Sequence, residues 1–129
     1  MSERRSVVTA HGAPAAAGPY SHAVAHGATL YCSGQTPLDH ATGKLVEGDV
    51  GAQTTRCLEN LQIVCAAAGA RLEAAVRCAV YVTDMSSFAE VNEAYGEFFA
   101  SEPPARTTIG VAALPLGAAV EIDAIVALD

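Results

Sequence analysis

Two changes in hydrophobic periodicity constrain what this chain can fold into more than any other feature. Short segments of alternating apolar and polar residues give way, from Asp49, to helical spacing, and the same change from alternation to helical spacing then occurs a second time. Alternation is typical of a half-buried strand, and spacings of three and four residues are typical of an amphipathic helix. The order predicted is β-β-β-α-β-α-β-β, an α+β fold with two helices on one face of a mixed sheet.

The strands are predicted from β-prone runs and from the turn residues that bound them. Gly27 separates two such runs and favours a hairpin, and strand pairs with short links favour antiparallel pairing at both ends of the chain. The predicted strands are Ser6–Thr9, Ala23–His26, Thr29–Ser33, the alternating run from Val76 to Val82, Arg106–Ala112 and Ala119–Leu128.

The two helices are predicted from stripes of apolar residues and from their ends. Gly69 is placed to end the first helix as a C-cap, and Ser87 with Glu90 matches a capping box at the start of the second. Pro103 and Pro104 stop the second helix. The first stripe contains Cys57, Leu61, Val64, Cys65 and Ala68, and the second contains Phe88, Val91, Tyr95 and Phe98.

Length and charge exclude several classes of protein. The 129 residues suit one domain spanning 1–129, and 14 acidic against 7 basic residues give a net charge of −7. Nucleic acid binding relies on clustered Lys and Arg, so no nucleic acid partner is expected. No apolar run is long enough for a membrane helix, and the four cysteines form no CxxC pair. We therefore expect a cytoplasmic protein with buried free thiols, no metal and no membrane partner.

The alternation also predicts which side chains share the face of the sheet that the helices leave open. If the last two strands pair with their apolar sets inward, Thr107 and Ile109 face the helices, and Arg106 lies beside Glu121 on the open face. That face also carries Tyr31 and Tyr81, and it is too apolar to leave in water, so another subunit is expected to cover it. From periodicity alone, an Arg and a Glu on neighbouring strands are more often a simple cross-strand ion pair.

Several motifs in these segments resemble the RidA/YjgF family of reactive-intermediate deaminases. The resemblance runs from about Ala13 to Val126, and the order and spacing of the motifs carry it rather than any single tripeptide. The matching segments are Gly18-Pro19-Tyr20-Ser21, Ser33-Gly34-Gln35 with Pro37, Thr42-Gly43, Val91-Asn92 through Tyr95 and Phe98-Phe99, Pro104-Ala105-Arg106, and Val120-Glu121-Ile122.

The resemblance implies a chorismate-mutase-like fold, a homotrimer with ligand clefts between subunits, and hydrolysis of 2-imino acids and enamines to 2-oxo acids and ammonia without a cofactor. Arg106 would bind the substrate carboxylate, because its planar guanidinium offers two parallel donors. Glu121 would orient the attacking water. The other positions that match the family's binding residues are Tyr20, Ser33, Gly34, Asn92 and Thr108, the last through its backbone.

One departure from the family pattern leaves alternatives open. Many members have a small residue and then a Cys after the Arg, where this chain has Thr107 and Thr108. The change motivates a second hypothesis, a non-catalytic module that binds small carboxylates. A third is the RNA-cleaving or translation-inhibiting role attributed to some relatives, against which the negative charge argues.

Overall fold

A computed structural model describes residues 2–128, so Met1 and Asp129, the ends of the predicted domain, lie outside the described residues. The order of elements is the predicted β-β-β-α-β-α-β-β. Short 3-10 turns occupy Leu72–Ala74, Met85–Ser87 and Pro115–Gly117. The strands are β1 Ser2–Val8, β2 Ala23–Gly27, β3 Thr29–Gln35, β4 Ala75–Val82, β5 Ala105–Gly110 and β6 Val120–Ala127, and the helices are α1 Val50–Ala67 and α2 Phe88–Phe98.

The strands form one mixed sheet in the order β1-β2-β3-β6-β4-β5. All neighbours are antiparallel except β4 and β5, which α2 joins as a parallel crossover. The predicted hairpin is confirmed, with Gly27 in the left-handed region at φ 62°. The predicted pairing of the last two strands is wrong, because β4 lies between β5 and β6. The parallel crossover leaves β5 on the edge of the sheet.

Both helices pack on the same face of this sheet, as predicted. The even positions of β6 from Val120 to Val126 are buried beneath the helices, and the odd positions are partly open. Each fully buried Leu or Val stabilises the fold by about 1.5–3 kcal/mol. Two predicted core positions in β4 and α2 are wrong. Val76 is 54% exposed, because the pairing of β4 with β6 shifts between Ala75 and Arg77, and Phe88 at the start of α2 is 40% exposed.

The helix ends differ from the prediction at one point. Asp49 caps α1 by accepting a hydrogen bond from the Ala52 amide, and Gly69 follows the helix at φ 74°. The predicted Ser87–Glu90 capping box is wrong, since Ser87 makes no side-chain cap bond. The preceding 3-10 turn leaves Ser87 in helical rather than extended conformation. The Glu90 carboxylate accepts instead from the Gly51 amide at 3.1 Å, so Glu90 ties α2 to the first turn of α1.

Neither of the two described helices covers the second face of the sheet. Tyr31 is 48% exposed there, and Tyr81, Ile125 and Ala127 are only partly covered. Among residues 2–128, no helix is long and apolar enough to cross a bilayer. We call this side, with Tyr31, Tyr81 and Ile125, the open face.

Candidate active site

Arg106 lies on the helix-covered side of the sheet rather than on the open face. The parallel register places Arg106 beside Cys78 and Thr108 beside Val80. Cys78 and Val80 are buried under the helices, so their neighbours on β5 turn toward α2. The prediction that Arg106 and Glu121 share one face is therefore wrong. Thr107 and Ile109 take the open side instead, and Ile109 is 46% exposed.

Arg106 is held in place by uncharged groups from α2. Its Nη2 donates to Oδ1 of Asn92 at 2.6 Å, and its guanidinium carbon lies 4.7 Å from the Tyr95 ring centroid and 5.7 Å from that of Phe88. Within the part of the chain that the structure describes, no carboxylate forms an ion pair with Arg106. A positioned cation that lacks an anionic partner is suited to bind the carboxylate of a ligand.

The Thr108 hydroxyl near Arg106 is buried without a hydrogen-bond partner among the described residues. Buried polar atoms are nearly always paired in native proteins, so this hydroxyl is available to a water or ligand beside the guanidinium. Burial raises the pKa of Tyr95 above its ordinary value, and a hydrogen bond with the neighbouring Cys78 thiol adds to the shift. Asn92, Arg106 and Thr108 together form what we call the guanidinium half.

Glu121 extends from β6 onto the open face, beside Tyr81 of β4. Burial, assisted by the charge of Asp123, raises the pKa of the Glu121 carboxyl above its usual range. The carboxylate lies directly over Gly34, where a Cβ would sit 3.0 Å from Cδ of Glu121 and closer still to Oε2. Gly34 is therefore the residue that leaves room for this carboxylate.

Glu121 and Gly34 line a cleft of about 530 Å³ together with Tyr20 and Ser33. The Ser33 hydroxyl donates to the carbonyl of Ser21 at 2.6 Å, which fixes one wall. The Tyr20 hydroxyl accepts from the Ala17 amide at 3.1 Å. Four of the predicted site residues thus meet in one cavity, and we call Tyr20, Ser33, Gly34 and Glu121 the carboxylate half.

The loop before Tyr20 is held by a residue that sequence reasoning did not select, His22. Its ring is buried, Nδ1 accepts from the Ala10 amide at 2.9 Å, and Nε2 donates to the Pro14 carbonyl at 2.8 Å. The four-residue spacing of His22 and His26 would suit a zinc pair only on a helix, and His26 lies on strand β2. No group of three or more metal-ligating side chains occurs in residues 2–128. Only the proximity of His22 to the Gly18-Pro19-Tyr20-Ser21 motif could have indicated its supporting role.

The two halves cannot act on one small molecule within a single chain. They lie on opposite faces of the sheet, and β4 separates β6 from β5, which adds about 10 Å across the strands. The predicted site residues are therefore close together within each half, but the two halves lie far apart in one chain. A site that needs both halves requires a second copy of the chain.

Gly34→Ala is expected to displace the Glu121 carboxylate without unfolding the protein. The new methyl group would meet the end of a flexible side chain rather than backbone, so the carboxylate moves and the fold remains. We expect activity on a substrate bound at Glu121 to fall by at least about tenfold, since misplacement of a catalytic group by an ångström has effects up to about a hundredfold.

The matched control is Gly96→Ala on α2, where a Cβ meets nothing within 4 Å. It should leave activity unchanged and raise the free energy of unfolding by about 0.5–1 kcal/mol. Turnover and thermal unfolding of both variants provide the measurement. Wild-type activity in Gly34→Ala would contradict the role given to this glycine.

The sequence is similar to a family described as endoribonuclease L-PSP, whose profile matches residues 10–128. Among curated relatives, Protein DfrA of Myxococcus xanthus is 50% identical over 123 residues, which cover 94% of each chain. The mouse 2-iminobutanoate/2-iminopropanoate deaminase is 45% identical over 121 residues, covering 94% of this chain and 90% of the mouse protein.

Solved structures give the same result for the fold. RidA from an Antarctic Psychrobacter species superposes with a TM-score of 0.89 at 44% identity, covering 95% of this chain and 99% of that one. The YjgF gene product from E. coli gives a TM-score of 0.90 at 37% identity, with 95% and 98% covered. Both are similar to this chain over nearly its whole length.

Proposed function

This chain belongs to the endoribonuclease L-PSP family, the group that includes the RidA and YjgF proteins, and we propose that it is an imine deaminase. Its substrates would be reactive 2-imino acids such as 2-iminobutanoate and 2-iminopropanoate, together with their enamine tautomers, and its products 2-oxo acids and ammonia. The observation that carries the proposal is a positioned guanidinium without an anionic partner among the described residues, complemented by a half-buried carboxylate of raised pKa. The mouse and bovine relatives, which are named 2-iminobutanoate/2-iminopropanoate deaminases, support the same reaction.

We propose further that the working site forms between copies of this chain. The open face exposes apolar side chains that a second copy would cover, and the guanidinium half lies on β5 at the edge of the sheet. A neighbouring copy can therefore bring its Arg106 to the mouth of the cleft that holds Glu121. The family resemblance implies a homotrimer, which would contain three such clefts.

In this site Arg106 would hold the substrate carboxylate through two parallel hydrogen bonds. Glu121 would accept a proton from a water whose oxygen attacks C2, while the electron pair of the C=N bond moves to nitrogen. Glu121 would return that proton to the nitrogen, and the proton of the new hydroxyl group would follow as the C–N bond breaks, which releases ammonia and leaves the carbonyl of the 2-oxo acid. Tyr20, Ser33 and Asn92 would bind the imine nitrogen or the water, and no covalent nucleophile is required.

The test adds the purified protein to a threonine dehydratase reaction and follows 2-oxobutanoate release. We expect the protein to speed release of the 2-oxo acid. Semicarbazide added to the reaction traps the imine as a semicarbazone, so less semicarbazone should form with the protein than without it. Heat-inactivated protein is the control. Release no faster than in buffer would contradict the proposal.

The pH dependence of turnover should follow the ionisation of Glu121. Because burial raises its pKa, we expect kcat to fall as the pH drops through a value above the ordinary glutamic acid range. In the bound complex the positive charge of Arg106 would be balanced by the substrate carboxylate, so Arg106 would not lower the pKa of Glu121 again. The measurement is the pH profile of kcat for the wild type.

Glu121→Gln supplies the control for folding. A carboxyl group of raised pKa destabilises the folded chain as it ionises, so stability declines as the pH rises from the ordinary range to the raised value. The glutamine variant keeps the shape without the charge, so it should unfold at an equal or higher temperature at neutral pH while losing activity. A fall of kcat at low pH that is centred on the ordinary pKa of glutamic acid would contradict the role given to Glu121.

The alternatives separate by simple measurements. Saturable binding of 2-oxobutanoate without turnover would favour a non-catalytic carboxylate-binding module. The family description includes the word endoribonuclease, but a net charge of −7 opposes RNA binding. Absence of RNA binding at low salt would exclude that role.

We also propose that the chain acts as one domain and that it works in the cytoplasm.

A further inference from the structure

Leu116 combines two unfavourable features. It has a left-handed backbone at φ 61° and its side chain is 65% exposed. A bulky residue other than glycine rarely adopts that conformation, and backbone strain of this kind clusters at functional sites. Gly117 beside it already has φ 77°, so the chain uses glycine for one left-handed position and leucine for the other.

The exposed side chain lies at the cleft that contains Glu121. Leu116 and Leu38 line this cleft together with the polar carboxylate half. We call the apolar part of its lining the apolar wall, and its members are Pro14, Ala15, Ala17, Leu38, Pro115 and Leu116.

The part of the wall around Leu38 is rigid. Asn60 of α1 is fully buried, and its Nδ2 donates to the carbonyls of Thr36 at 3.2 Å and Leu38 at 3.0 Å. Leu38 also forms an isolated antiparallel bridge with Leu45. The cleft therefore combines a fixed apolar surface at Leu38 with the exposed side chain of Leu116, and an apolar group can contact both.

We propose that Leu116 and Leu38 bind the side chain of the substrate, and that this enzyme prefers 2-imino acids with longer or branched aliphatic side chains. The inference rests on the proposed deaminase function. With the carboxylate at Arg106 and the C=N carbon beside Glu121, the apolar wall is the surface left for the third substituent of C2. A cleft of about 530 Å³ also lies within the range for ligands much larger than 2-iminopropanoate, about 300–1,000 Å³.

The test compares imines released from leucine and from alanine by an amino-acid oxidase. Leu116→Asn removes the apolar side chain while tolerating the left-handed backbone, and Leu116→Met keeps an apolar one. We expect kcat/KM for the leucine-derived imine to fall about tenfold in the asparagine variant, the size of a lost apolar contact. The value for the alanine-derived imine should change by less than about twofold, and the methionine variant should resemble the wild type.

The control for strain is Glu102→Asn, because Glu102 is a second left-handed residue, at φ 50°, and does not line the cleft. It should leave the ratio of the two substrates unchanged. An equal loss on both imines in Leu116→Asn would overturn the inference. So would a change in its molecular mass in solution, which would show that a neighbouring copy covers Leu116.

Binding separates this inference from the deaminase proposal. We expect 4-methyl-2-oxopentanoate to bind the wild type more tightly than 2-oxopropanoate, and Leu116→Asn to abolish that preference. If Leu116→Asn abolishes the binding preference but the wild type hydrolyses no imine, the deaminase proposal fails and the apolar wall stands. If imines are hydrolysed without any preference for the longer side chain, the apolar wall fails alone. Binding of neither acid would overturn both.

Discussion

Arg106→Lys is expected to lose nearly as much activity as Arg106→Ala. The guanidinium is fixed by Asn92 and by the Tyr95 ring, so it presents two parallel donors that an ammonium cannot reproduce. Loss of a bidentate charged contact costs about 3–4 kcal/mol, which corresponds to about 10²–10³-fold in kcat/KM. The measurement is kcat/KM for 2-iminobutanoate in both variants.

The matched control is Arg56→Lys on α1. Arg56 is paired with Glu59 at 3.4 Å and is not among the residues that line the cleft, so this substitution should leave turnover unchanged. Circular dichroism and thermal unfolding would show that all three variants fold. If Arg106→Lys retained full activity, the guanidinium would act only as a diffuse charge, and the proposed carboxylate clamp would be wrong.

Much of this fold could be predicted from sequence in the elements where buried residues recur at a regular spacing. β6 alternates between buried and partly open positions along its whole length, and the α1 stripe from Cys57 to Cys65 is buried. In both elements one face meets the core and the other does not, so hydrophobicity and structure follow the same period. The hairpin at Gly27 is equally local, because a left-handed turn favours glycine.

β5 is the element whose orientation sequence could not supply. Its residues are exposed or half-buried throughout, since it is an edge strand with an Arg and two threonines in six positions. Alternation then carries no information about which side faces the core. The orientation follows from the parallel register with β4, a tertiary contact, and that register moved Arg106 away from Glu121.

The resemblance predicted which residues form the candidate site. It did not predict that they separate into two halves on opposite faces of the sheet. Motifs fix which residue types occur, and four of them meet in one cleft. Whether Arg106 belongs to the same cleft depends on strand order and on how copies assemble. The apolar side chains of the open face, such as Tyr31 at 48% exposure, favour a partner that covers them. The proposed chemistry would need the same partner, because it draws on both halves.

Mixing two inactive variants should restore activity if each site takes its halves from two chains. Arg106→Ala keeps the carboxylate half intact, and Glu121→Gln keeps the guanidinium half intact. Each variant alone should be inactive. After co-refolding at equal amounts, a site receives its carboxylate half and its guanidinium half from chains chosen at random, so about one quarter of sites carry two unaltered halves. The fraction is the same for a ring of any size.

A second mixture makes the result decisive. Wild type mixed equally with a chain carrying both substitutions should retain about one quarter of wild-type activity when sites are shared between chains, but about one half when each chain holds its own site. Shared sites thus predict equal activity in the two mixtures, and sites within one chain predict none in the first and about one half in the second. The latter result would contradict the assembly inferred from the separation of Arg106 and Glu121 by β4.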